Sequence, residues 1–129
     1  MKPEIKYQVE LPIVLYTKKT RYYLNLNQYR NWHYQANNKL KRQFKNQIEP
    51  QLGFTIDGKC KIQYYYYAPD KRKRDLMNII SVVDKYFQDA LVEKKCILSD
   101  DTSIVTKISG EYCGIDKQNP RVEAIVTPI

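Results

Sequence analysis

Between residues 59 and 94 the hydrophobic period of this chain changes from two to about four, and that change limits the folds open to it. Residues 59–68 read KCKIQYYYYA. Cys60, Ile62, Tyr64 and Tyr66 share one face of a strand there, because side chains alternate across a pleated backbone. Pro69 stops the strand, since it has no amide hydrogen to give a ladder. From about Leu76 to Lys94 the apolar positions become Leu76, Ile80, Val83, Phe87 and Ala90/Leu91, the stripe of an amphipathic helix. Asn78, Ser81, Lys85 and Asp89 fall on the opposite side, and Asp84 falls on the boundary between the faces. A strand joined to a long helix by a short polar run predicts a helix packed on a sheet.

The rest of the chain is read around that unit. Residues 6–15 begin with strand alternation, which Pro12 ends or pushes to a sheet edge. Residues 16–30 read as a polar, aromatic loop. From about Asn31 to Ile48, Trp32, Ala36, Leu40, Phe44 and Ile48 recur every four residues, predicting a first helix. Residues 102–109 and 121–128 read as closing strands, with Asn119-Pro120 in the turn between them. The predicted order is β-α-β-α-β-β: an α+β fold with a mixed β-sheet and two main helices, one domain over residues 1–129. A chain of this length buries a modest core, which a second copy could extend in a homodimer.

Charge narrows the function. Lysine and arginine number 22 against 14 acids, a net charge of +8 with a pI near 9.3, and such a field attracts polyanions. The distribution is uneven. Residues 1–50 carry ten of the cations and only Glu4, Glu10 and Glu49 as acids. Residues 70–101 hold Asp70, Asp75, Asp84, Asp89, Glu93, Asp100 and Asp101. Carboxylates concentrated in a basic protein suit a metal site that faces phosphate.

Other chemistries find little footing. Four glycines and no Gly-rich loop argue against a P-loop or dinucleotide cradle. Cys60, Cys96 and Cys113 lack zinc-ligand spacing and read as free thiols of a reduced, cytoplasmic chain. His33, the one histidine, has no nucleophile partner at a suggestive spacing. No 18-residue apolar run occurs and the N-terminus lacks a signal-peptide core, so no membrane role is expected.

Two groups of residues could carry chemistry. Lys71-Arg72-Lys73-Arg74, directly after a strand, can hold successive phosphates; a solvated loop is the plain alternative. Asp75, Asp84 and Asp100-Asp101 offer hard oxygen ligands for Mg²⁺ or Mn²⁺, which would polarise a phosphodiester and activate water. The alternative makes Asp75 a helix cap, Asp84 a surface charge and Asp100-Asp101 a polar turn. Asp84 is the most pointed of them, since a carboxylate at the edge of an apolar stripe is costly unless paired. Lys85 could neutralise charge on a phosphate, or pair with Asp89 one turn on. The Tyr64–Tyr67 run divides between core packing and base stacking.

The stretch KRKRDLMNIISVVDKYFQDALVEKKCILSDD resembles the signature of the RusA family of Holliday junction resolvases. That family carries a basic run ending in Asp, a DLDN-like helix start, DAL near the helix end and a following DD pair. Here these stand as Arg74-Asp75-Leu76-Met77-Asn78, Asp89-Ala90-Leu91 and Asp100-Asp101, and the resemblance covers about residues 60–105.

The resemblance implies a homodimeric, Mg²⁺-dependent endonuclease (Mn²⁺ serving in its place) that binds four-way DNA junctions in recombination and repair, in a bacterial or phage-infected cell. It implies Asp75 and Asp101 as metal carboxylates, with Asp100 beside the latter, and Lys85 as the helix lysine. Lys71 to Arg74, Asn78, Lys18, Lys19, Arg21 and Arg30 would contact DNA. The chain departs from the pattern at Met77, where the family has a second acid; a thioether is a poor Mg²⁺ ligand. The helix also runs about one turn longer, and Asp84 in that added turn is the expected replacement. A DNA- or RNA-binding module that has lost cleavage is the alternative that Met77 favours. A structural protein of a nucleoprotein assembly explains the charge but not the acids.

Overall fold

Strand β4 (Cys60–Ala68) lies at the centre of the structure, a computed structural model that describes residues 5–129; residues 1–4, Glu4 among them, lie outside the described residues. The predicted alternation holds: Cys60, Ile62, Tyr64, Tyr66 and Ala68 are buried, and the residues between them are half-buried. β4 pairs antiparallel with β6 (Arg121–Pro128) and parallel with β5 (Val105–Ile115). β1 (Tyr7–Leu11) adds antiparallel to β6, giving a mixed sheet in the order β1-β6-β4-β5. With its helices the fold is α+β, as expected.

A parallel pair of strands needs a crossover, and the long helix α3 (Leu76–Glu93) supplies it between β4 and β5. It comes close to β5 at Gly110, where an added Cβ would stand 3.4 Å from an Ile80 side-chain carbon. Ile79, Ile80, Val82, Val83, Tyr86, Phe87, Gln88, Ala90 and Leu91 are all buried, a broader face than the single predicted stripe. The reason is that α3 has two neighbours. One flank meets the sheet, where Phe87 packs edge-on against Tyr64. The other meets α2 (Tyr34–Ile48), where Phe44 packs edge-on against Tyr86. Three ion pairs tie the second seam: Lys41–Asp89, Lys45–Glu93 and Lys94–Glu49 at its end. Asp89 thus pairs with Lys41 across the seam.

The N-terminal third departs from the sequence reading. The strand expected over 6–15 is broken: β1 ends at Leu11, and Val14–Tyr16 (β2) leaves the main sheet to pair with Arg21–Tyr23 (β3) in a separate hairpin. The expected 16–30 loop therefore holds a strand and a short helix, α1 (Leu26–Tyr29), capped by the Asn25 side chain accepting from the Gln28 N–H. These elements are too short to show periodicity; buried Leu15 and Leu24 anchor them. α2 begins at Tyr34 with His33 at its N-cap position, so Trp32 stands outside the helix, edge-on to Tyr22 and Tyr29.

β5 is an edge strand with little covering it. Only Val105 of its residues is buried, while Ile108, Tyr112 and Ile115 are exposed. All three cysteines are free, Cys60 and Cys96 buried and Cys113 half-buried. Among the described residues no helix is long and apolar enough to cross a membrane.

Candidate nucleic-acid interface

The connection from β4 to α3 forms one wall of a groove of about 950 Å³. Arg72, Lys73, Arg74, Asp75 and Asn78 line this wall; Tyr16, Arg21, Tyr23, Asn25, Asn27 and Gln28 from the hairpin and α1 line the opposite one. Asp70 organises the basic loop. Its carboxylate accepts from the Arg72 backbone N–H at 2.9 Å and pairs with the Arg74 guanidinium at 2.8 Å. Those partners hold Asp70 below the ordinary carboxylate range, the Arg72 amide contributing most. Lys71, Arg72 and Lys73 are exposed, and their side chains make no ion pair among the described residues. They are exposed cations on a loop that Asp70 anchors at the Arg72 backbone and the Arg74 side chain.

Asp75 occupies the N-cap position of α3, but its carboxylate makes no cap hydrogen bond to the helix backbone. The Asn78 side-chain amide approaches it at 3.4 Å. The capping role that an Asp at this position ordinarily takes is thus not what holds this side chain, which lines the groove among the cations.

The other predicted carboxylates sit elsewhere. Asp84 lies nine residues further along α3, about 13 Å of helical rise from Asp75. It is half-buried against the sheet and accepts hydrogen bonds from the Tyr64 hydroxyl and, at 2.8 Å, from the Gln88 amide. Burial pushes its carboxyl above the ordinary value; the two hydrogen bonds oppose that shift and the nearby charge of Asp100 adds to it. The desolvation expected of a carboxylate at the stripe's edge is present, and a tyrosine on β4 meets it. Asp101 is exposed and closes the turn before β5, accepting from the Ser99 hydroxyl and from the Ser103 amide and hydroxyl. These bonds hold it below its ordinary value, Ser103 contributing most.

Within one chain, then, Asp84 and Asp100 come within electrostatic reach of each other while Asp75 stands apart in the groove. Among the described residues no three His, Cys, Asp or Glu side chains converge into a metal-holding group. Met77 is exposed at the start of α3. Lys85 does not line the groove; its ammonium lies 5.5 Å over the Tyr29 ring and ties α3 to α1. Of the expected DNA contacts, Arg21, Arg72, Lys73, Arg74 and Asn78 line the groove, whereas Lys18 and Lys19 sit exposed at the hairpin turn and Arg30 just beyond α1. Asp70, Tyr16, Tyr23 and Gln28 are groove residues that the sequence reading left out. For Tyr16, Tyr23 and Gln28 the Asn- and Tyr-rich character of residues 16–30 is the signal in the sequence; for Asp70 it is its place in the acidic stretch after β4.

No protein-family model matches this chain, and neither does any curated protein.

Proposed function

We propose that this protein is a RusA-type endonuclease of branched DNA, acting as a homodimer, whose groove between the basic loop and the β2–β3 hairpin holds the phosphate backbone. The observation that carries the reading is Asp75: a carboxylate at a helix N-cap position that caps nothing, set in a groove beside Arg72, Lys73 and Arg74. The groove's other carboxylate, Asp70, is taken up by the Arg72 amide and the Arg74 guanidinium. Asp75 has no such partner among the cations, and a carboxylate left beside phosphate-binding groups suits the holding of a metal or a proton. The motif order from Arg74 to Asp101 supports the same family.

The separation of carboxylates bears directly on this proposal. Among the described residues of one chain no three such donors converge, and the proposal therefore sets a carboxylate from a second copy beside Asp75. That gives the homodimer a catalytic role in addition to matching two opposed strands. A bound Mg²⁺ would supply a polarised phosphoryl oxygen and an activated water. The chain's own residues position the DNA: Lys73 and Arg72 contact phosphates, Arg21 faces them across the groove, and Asn78 orients the Asp75 carboxylate. Exposed Met77, where an acid would be a ligand, favours a second reading in which the groove binds DNA without cutting it.

The test is cleavage of a labelled four-way junction against linear duplex, with Mg²⁺ and with EDTA, for the wild type and Asp75→Asn. Paired, metal-dependent nicks that vanish in Asp75→Asn while junction binding persists are expected. Tight binding with no cut under any divalent metal would replace the nuclease reading with the binding one. Absence of binding would overturn both.

A further inference from the structure

The basic loop also borders a second space. Adjoining the groove, toward β5, lies a smaller cavity of about 370 Å³, lined by Tyr66, Ala68, Leu76 and Tyr112 and by the cationic run Lys71 to Arg74. It has aromatic and aliphatic walls and a cationic rim and, unlike the groove, no acid in the lining. Tyr66 and Tyr112 are paired across the parallel β4–β5 ladder, so their rings stand on the same sheet face, with centroids 6.1 Å apart and planes tilted by 50°. Tyr66 forms the buried floor; Tyr112 is 55% exposed, an aromatic side chain on a bare edge strand. The two cavities share Tyr66, Arg72, Lys73 and Arg74. The loop is therefore a ridge common to the groove and to an aromatic cavity beside it.

We infer that this cavity receives one unstacked nucleotide of the bound strand, its base against Tyr112 and Tyr66 and its phosphate on the cations of the Lys71–Arg74 ridge. The inference rests on the proposed nucleic-acid reading of the groove. The size is that of a small-molecule pocket, and an aromatic floor beneath a cationic rim is complementary to a flat base carrying an anionic phosphate. A base within a continuous duplex cannot enter, because its faces are covered by its neighbours. The cavity thus selects nucleotides already freed from stacking, at a branch point, a gap or an end. Selection of branched over linear DNA would then come partly from this cavity, without any base-edge readout.

The experiment compares two labelled single strands of equal length, oligo(dT) and a fully abasic backbone, by fluorescence anisotropy, with wild type, Tyr112→Ala and Tyr112→Phe. The strands carry the same phosphates and differ only in bases. Wild type should bind oligo(dT) roughly five-fold or more tighter than the abasic strand, the range of a single base–aromatic stack. Tyr112→Ala should lower oligo(dT) binding to the abasic level and leave abasic binding unchanged, while Tyr112→Phe keeps the preference. Tyr112 is exposed, so its truncation leaves the core intact. Equal binding of the two strands by wild type, or a preference that survives in Tyr112→Ala, would overturn the inference while salt-sensitive abasic binding left the groove reading standing. Failure of wild type to bind either strand while it still binds a four-way junction would overturn the inference alone; failure to bind the junction as well would overturn both.

Discussion

Replacing Asp84 separates a structural carboxylate from a metal ligand, and the structure sets the expected size. Asp84 accepts from the hydroxyl of Tyr64, a side chain only 1% exposed, and from the Gln88 amide. Asp84→Asn keeps an acceptor oxygen for both donors and removes the desolvated charge. Asp84→Ala leaves the Tyr64 hydroxyl buried with no acceptor, a loss of about 1–3 kcal/mol. For a domain of this size each kcal/mol is worth roughly 3–6 °C in Tm, so Asp84→Ala should melt well below Asp84→Asn. The pH dependence has a definite sign. Burial raises the folded-state pKa of Asp84 above its ordinary value. A carboxyl raised on folding costs stability once ionised, and that loss sets in as pH rises through the unfolded value and is complete above the folded one. The stability of Asp84→Asn relative to wild type should therefore improve from about pH 3 to pH 7, as read by thermal or urea unfolding at several pH values. Equal stability of Asn and Ala variants, or a wild-type-to-Asn gap that ignores pH, would refute the account. If Asp84→Asn also cuts junctions at the wild-type rate, Asp84 has no part in metal binding.

Other outcomes follow from packing and charge. Phe87→Ala removes a fully buried ring from the α3–sheet seam and should cost about 3–5 kcal/mol in urea unfolding. Arg72→Ala with Lys73→Ala should weaken junction and duplex binding alike and reduce the slope of log K against log salt by about two, one unit for each phosphate that no longer has a cation on it. The same pair on the hairpin turn, Lys18→Ala with Lys19→Ala, lies outside the groove and should change that slope by less. Light scattering should give twice the chain mass if cutting needs carboxylates from two copies; a monomer that cuts would refute that requirement.

How much of the fold was legible in the sequence depends on the length of each pattern. β4 and α3 were readable nearly to the residue, because nine alternating positions and an 18-residue amphipathic run each repeat their period several times. The free thiols and the basic loop followed from residue type alone. The hairpin at 14–23 and the four-residue α1 were not readable. Three-residue strands show no periodicity, and they are held by the burial of Leu15 and Leu24 and the packing of Trp32 on Tyr22 and Tyr29.

The candidate site divides in the same way. Residue order alone established which groups are present: a cationic ridge, carboxylates around one helix, and a departure at Met77. It also established that Asp84 suffers desolvation, since that follows from its place on a helical wheel. Which groups meet was a matter of packing. The fold placed Tyr64 under Asp84, brought Asp100 toward the same spot, turned Asp75 into a groove with Arg21, and set Tyr112 beside Tyr66 across a parallel ladder. A helix carries its side chains outward in all directions along its length. Residues close in sequence on α3 are therefore dispersed around it, and the sheet and loops that pack against it select which of them converge.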